Sequence, residues 1–154
     1  MGKAEIRSAK LNQPLGVFSQ AMKVWGQGTL VFVSGLTSRA PDGSVVGPGD
    51  IKLQTETILK NLSAILEEAG GSLVDVVKVG VFIRDMNQFT EIHEVRRRYF
   101  KAPYPASTMV EVSRLVSPEH LIEIEATAFI EPTRTPKARR GGGARGRKPG
   151  RRRR

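Results

Sequence analysis

Two glutamates near the end of the chain are the residues most suited by type and spacing to proton chemistry. Leu121–Ile130 alternates strictly. Ile122, Ile124, Ala126, Ala128 and Ile130 point one way, and Leu121, Glu123, Glu125, Thr127 and Phe129 the other. Glu123 and Glu125 therefore share a strand face, about 7 Å apart. Neighbouring carboxylates raise one another's pKa, which suits a general acid–base group in a cleft between subunits. The competing reading is an ordinary solvated face. A glycosidase pair has the same residue types, but nothing else in the sequence suggests a sugar site. Metal and thiol chemistry find little material. There is no cysteine, and His93 and His120 are the only histidines, too few for most zinc sites.

The elements that must position these residues can be read from periodicity. Ser19–Trp25 and Thr29–Leu36 are short strand-like runs around Gly26-Gln27-Gly28, which predicts a hairpin. Pro41-Asp42-Gly43 is a turn, with Ser44–Val46 returning as a short edge strand. Ile51, Ile58, Leu62, Ile65, Leu66 and Ala69 recur at helical spacing, with Asp50 before the start and Gly70 beyond the end. Val74–Ile83 is rich in β-branched residues and reads as a buried strand. A second helix runs to Phe100 from a cap at Asn87, with Phe89, Ile92, Arg96 and Tyr99 on one face. Met109–Leu115 and Leu121–Ile130 are the closing strands. The order predicts an α+β domain: an antiparallel or mixed sheet with two helices on one face.

Charge divides the chain. Of 25 lysines and arginines, 11 lie from Pro132 onward, where there is no acid. The body, residues 1–131, keeps 14 bases against 15 acids, a net of −1. Residues 132–154 form an arginine/glycine-rich segment with almost nothing to bury, so a disordered tail is expected. Its arginines suit salt-sensitive, nonspecific contact with nucleic acid or another polyanion, although no aromatic side chain is present to stack on bases. A solubilising role fits it equally well. No apolar run approaches the length that spans a bilayer, so no membrane partner is expected. The lack of cysteine fits a reducing, cytoplasmic setting.

Tyr104-Pro105-Ala106-Ser107-Thr108-Met109-Val110-Glu111-Val112-Ser113-Arg114-Leu115 is followed by Leu121-Ile122-Glu123-Ile124-Glu125-Ala126. Together they resemble the signature of the Rid (YjgF-type) imine/enamine deaminase family. Phe32-Val33-Ser34-Gly35, the helix Gln54–Gly70 and Val79-Gly80-Val81-Phe82-Ile83-Arg84-Asp85-Met86 extend the similarity over roughly residues 15–131. The resemblance implies a chorismate-mutase-like fold, a homotrimer, and small-molecule clefts between subunits. It implies hydrolysis of reactive imines or enamines, such as 2-aminoacrylate and its imine tautomer, to ketoacid and ammonia, with no metal or organic cofactor. It makes Glu123 the residue that positions the attacking water. Ser34 becomes a site residue by hydrogen bonding, since no His/Asp pattern marks it as a nucleophile. On the same resemblance, Gly35, Phe18, His93, Ser107 and Met109 are expected to line the substrate pocket.

Several of these positions depart from the family pattern. Ser107 stands where an arginine normally holds the substrate carboxylate, Phe18 replaces a tyrosine, His93 an asparagine, and Met109 a small residue. Serine offers one neutral hydroxyl where arginine offers a fixed charge, a loss on the order of 2–4 kcal/mol for a partly buried carboxylate. His93 could partly compensate as a proton donor or cation, with Arg97 one turn along, or be an exposed helix histidine. Arg96-Arg97-Arg98 reads as a solvated basic face, and His120 as a surface loop residue. Three functions stay open: a RidA-like deaminase, a non-catalytic trimer binding a small molecule or a protein partner, and a nucleic-acid-associated protein that binds through its tail.

Overall fold

The computed structural model describes residues 2–14 and 16–132; the arginine/glycine-rich segment from Thr133 on lies outside the described residues. Six strands and two helices follow in the order β1 (Gly2–Ile6), β2 (Ala21–Trp25), β3 (Thr29–Thr37), α1 (Ile51–Glu68), β4 (Val76–Ile83), α2 (Phe89–Tyr99), β5 (Ala106–Glu111) and β6 (Ile122–Ile130).

Helix α1 forms where its apolar spacing and caps require it. Asp50 accepts a hydrogen bond from the Leu53 amide at 2.9 Å, and Gly70, at φ +79°, lets the chain leave the helix. Its inward stripe of Ile51, Ile58, Leu59, Leu62 and Leu66 is fully buried. Each such side chain contributes about 1.5–3 kcal/mol by leaving water. Helix α2 is entered through a short 3-10 turn, Met86–Gln88, with the Asp85 carboxylate accepting from the Asn87 amide. The capping side chain is therefore Asp85, two residues before the expected Asn87.

The main sheet has the order β3-β6-β4-β5. β6 is antiparallel to both neighbours, whereas β4 and β5 run parallel, so the sheet is mixed. Val33, Val79, Val81, Ile83, Ile122, Ile124 and Ala126 form one face, buried with the apolar stripes of α1 and α2. Both helices thus cover one face, as the element order predicted. The other face is uncovered in the single chain. Phe32 is 76% exposed there, Leu30 51% and Val110 41%.

The expected hairpin does not form. β2 pairs with β1 in a separate two-stranded ribbon, Gly2 opposite Trp25, while β3 joins the main sheet beside β6. Gly26, at φ +93°, turns the chain between the two sheets rather than folding β3 back on β2. The expected edge strand at Ser44–Val46 reduces to one bridge, Arg39 to Val45. Met109–Leu115 is also shifted, since the strand begins at Ala106 and ends at Glu111.

Candidate functional site

The site residues expected from the sequence fall into two groups within the chain. The first lies on the uncovered face. Glu123 and Glu125 both point there from β6, opposite Phe82 and Gly80 of β4. Each carboxylate rests on a glycine. A Cβ built at Gly35 would overlap Glu123 Oε1 and stand 2.8 Å from its Cδ, and one at Gly80 would stand 2.6 Å from Glu125 Oε1. Gly35 sits in the irregular step of β3 between Val33 and Leu36, where the pairing with β6 shifts register. The bulge carries Ser34 and Gly35 across the half-buried Glu123 side chain. The constraint at position 35 is close approach to the Glu123 side chain alone, because its φ is one that any residue adopts. A hollow beside it is lined by Leu36, Thr37, Arg39, Asn61 and Ile65.

The second group lies at the far edge. Ser107 on β5 pairs with Val79, so it points to the helix side. Two strand spacings and three residues of rise separate it from Glu123, about 14 Å between backbones, with the sheet between the side chains. The segment Gly16–Ser19 packs over this corner. The Ser19 amide donates to Pro105 O at 3.1 Å, and Ser19 bridges to Ala106. Phe18 lines a hollow with Gly16, Ala102 and Tyr104. Met109 packs partly buried against the core.

His93 is not an exposed helix histidine. It is 3% exposed, and its Nδ1 accepts from the Val17 amide at 3.2 Å. A Cβ at Gly16 would come within 2.7 Å of its ring, and the Phe89 ring lies 4.1 Å away, centroid to centroid. Burial, with the Arg96 and Arg97 charges beside it, pushes its pKa down to about 4. It is neutral at physiological pH and cannot supply the compensating cation. His120 is likewise no surface residue. It is fully buried, with both ring nitrogens lacking a hydrogen-bond partner, and burial lowers its pKa.

Arg96 corrects a third expectation. Arg97 and Arg98 are solvated, but Arg96 is 1% exposed. Its Nη2 donates to Val17 O at 3.2 Å and to Ser107 Oγ at 3.0 Å. Burial lowers its pKa to about 10, so it remains cationic at neutral pH. The signal was present in the sequence, since Arg96 is four residues after Ile92 on the apolar face of α2. The run of three arginines outweighed it. Among the described residues, no group of three His, Asp or Glu side chains is placed to hold a metal ion. No helix among them is long and apolar enough to cross a membrane.

The family profile described as Endoribonuclease L-PSP matches residues 9–130, most of the chain and all of the main sheet. The chain belongs to the Rid (YjgF) family. A RutC family protein of Pyrococcus abyssi is 46% identical over 131 residues, 85% of this chain and 100% of that protein. A Dermatophagoides farinae Rid relative, named 2-iminobutanoate/2-iminopropanoate deaminase, is 34% identical, covering 77% of this chain and 90% of its own length. The crystal structure of a Rid-family protein of unknown function from Yersinia pestis superposes with a TM-score of 0.77 at 28% identity, over 84% of this chain and 100% of that one. The α+β architecture with two helices on a mixed sheet is thus the Rid fold.

Proposed function

We propose that this chain hydrolyses a reactive imine or enamine of the 2-aminoacrylate type in clefts between subunits of a homotrimer, with Glu123 orienting the water. The observation that carries this reading is the seat of Glu123. The carboxylate is laid on Gly35 at a half-buried strand position, with no side chain between it and the β3 backbone. The name of the Dermatophagoides farinae relative supports the reaction class.

The chemistry needs little beyond that carboxylate. Glu123 takes a proton from water as the oxygen attacks the C=N carbon, and passes that proton to the imine nitrogen. The resulting carbinolamine passes its hydroxyl proton by way of Glu123 to the nitrogen, re-forms C=O and expels ammonia. An enamine enters the same path after its terminal carbon is protonated.

Two observations support a shared site. Glu123 and Ser107 lie on opposite faces of one sheet, so a ligand meeting both needs them from different protomers. The uncovered face also presents Leu30, Phe32 and Val110, and a patch of this kind calls for a protein partner. A heterologous contact that closes on itself buries it in a ring. The test is ammonia and ketoacid release from freshly generated 2-aminoacrylate. Wild type should accelerate it and Glu123→Gln should abolish the acceleration; equal rates would remove Glu123 from the chemistry.

A second reading, a non-catalytic trimer of the same fold, is favoured by Ser107 and Phe18 standing where the family pattern has charged and phenolic groups. Stabilisation of the fold by a small ligand without product formation would select it. The family profile's ribonuclease description finds less support here. Both histidines are buried and lie in separate places, so they form no acid–base pair for RNA cleavage.

A further inference from the structure

Arg96 is the one arginine of the described fold buried to 1% exposure, and no carboxylate lies within ion-pair distance of it among the described residues. Residues 133–154 contain no Asp or Glu, so their side chains supply none either. Its recorded hydrogen-bond partners are neutral, Val17 O and Ser107 Oγ, and its buried Nε has no partner. The Phe100 ring, 5.9 Å from Cζ, gives only a weak further contact. An ionised side chain enclosed without a counter-charge is costly, and two neutral acceptors do not require a charge to satisfy them. A strut between Val17 and Ser107 could be made by a neutral donor. The arrangement is suited to an anion that arrives from outside.

The approach is through Ser107. β5 is the outer strand of the main sheet, and Ser107 is only partly buried on it. Its Oγ accepts from Arg96, so its hydroxyl hydrogen is left to donate outward. We infer that Arg96 and Ser107 together form a receptor for the carboxylate of a small 2-oxo or 2-imino acid, with the guanidinium coming from α2 rather than from the strand. One carboxylate oxygen accepts from Ser107, and the other closes on the guanidinium behind it. This deepens the proposed function and rests on the same ligand class, but it concerns binding, not turnover.

The test compares pyruvate with its uncharged amide, pyruvamide, by titration calorimetry on the full chain. Wild type should bind pyruvate at least about tenfold more tightly than pyruvamide. Arg96→Met should lose about 30-fold in pyruvate affinity, about 2 kcal/mol, and leave pyruvamide unchanged, with Arg96→Lys intermediate. Should Arg96→Met fail to fold, the Arg96 Nε–H resonance of wild type decides, because pyruvate should shift it and pyruvamide should not. Equal affinity for the two ligands, unchanged pyruvate binding in Arg96→Met, or an unmoved Nε–H resonance at saturating pyruvate would each overturn the inference. Arg96-dependent pyruvate binding together with a fully active Glu123→Gln would leave the receptor standing and remove the proposed catalytic role instead.

Discussion

Replacing Gly35 by alanine separates the position of the Glu123 carboxylate from the stability of the fold. The added methyl would occupy the place of Glu123 Oε1 and crowd Cδ at 2.8 Å and Cγ at 3.1 Å, so one of the two must move. The backbone at Gly35 accepts alanine without strain, and the far end of a half-buried glutamate yields more easily than a strand. Glu123 should therefore swing away, at a cost of about 0.5–1.5 kcal/mol for a displaced rotamer. A shift of about 1 Å in a reacting group costs on the order of 100-fold in rate, or about 2.7 kcal/mol in the barrier. The expected outcome is a fall in kcat/KM for imine hydrolysis of about 100-fold, with thermal unfolding changed by only a few degrees. Coupled ammonia detection and calorimetry on the same preparation measure both. A folded Gly35→Ala protein with activity within twofold of wild type would refute the claim that this contact sets the carboxylate.

Other consequences can be checked independently. His93 is held to about pKa 4 in the fold against about 6.5 unfolded, so the unfolded chain takes up the proton first as pH falls. Its stabilising contribution, at most about 3.4 kcal/mol, should be full above pH ~6.5 and lost toward pH ~4. His93→Asn should flatten the difference in urea stability over that window, and parallel profiles for the two proteins would contradict it. Phe32→Glu on the uncovered face should shift the particle toward monomer in sedimentation and abolish turnover; an unaltered trimer would show that this face is not the interface. Deleting residues 133–154 should remove salt-sensitive binding to single-stranded nucleic acid and leave imine hydrolysis intact, as a filter-binding series in rising salt would record.

What the sequence made legible follows physical range. Helix α1 and strand β6 were readable because periodicity and caps are local. The Asp50 side chain and the Ile122–Ile130 alternation state their own geometry. The partner of β2 was not readable, because Gly2–Ile6 is short and mixed in polarity, and pairing it with Ala21–Trp25 is a non-local choice. Glu123 could be assigned to a face but not to its glycine seat, which depends on a bulge in the neighbouring strand β3. His93 gave no local sign of its burial, whereas Arg96 did, by its place on the apolar face of α2. Both are buried by Gly16–Ser19, a loop some 75 residues away in sequence that folds over α2 through the Val17 amide and carbonyl.

The most direct test of a site shared between protomers is complementation. Glu123→Gln chains, inactive alone, and Arg96→Met chains, about 30-fold slower than wild type at low substrate through weakened binding, are co-expressed with different affinity tags, and trimers carrying both are purified. In either mixed composition, one of the three clefts should combine an intact Glu123 with an intact Arg96 from its neighbour. About a third of the wild-type rate per trimer is therefore expected. Mixed trimers no faster than the Arg96→Met parent would place both residues in sites built within a single chain, and the account would fail.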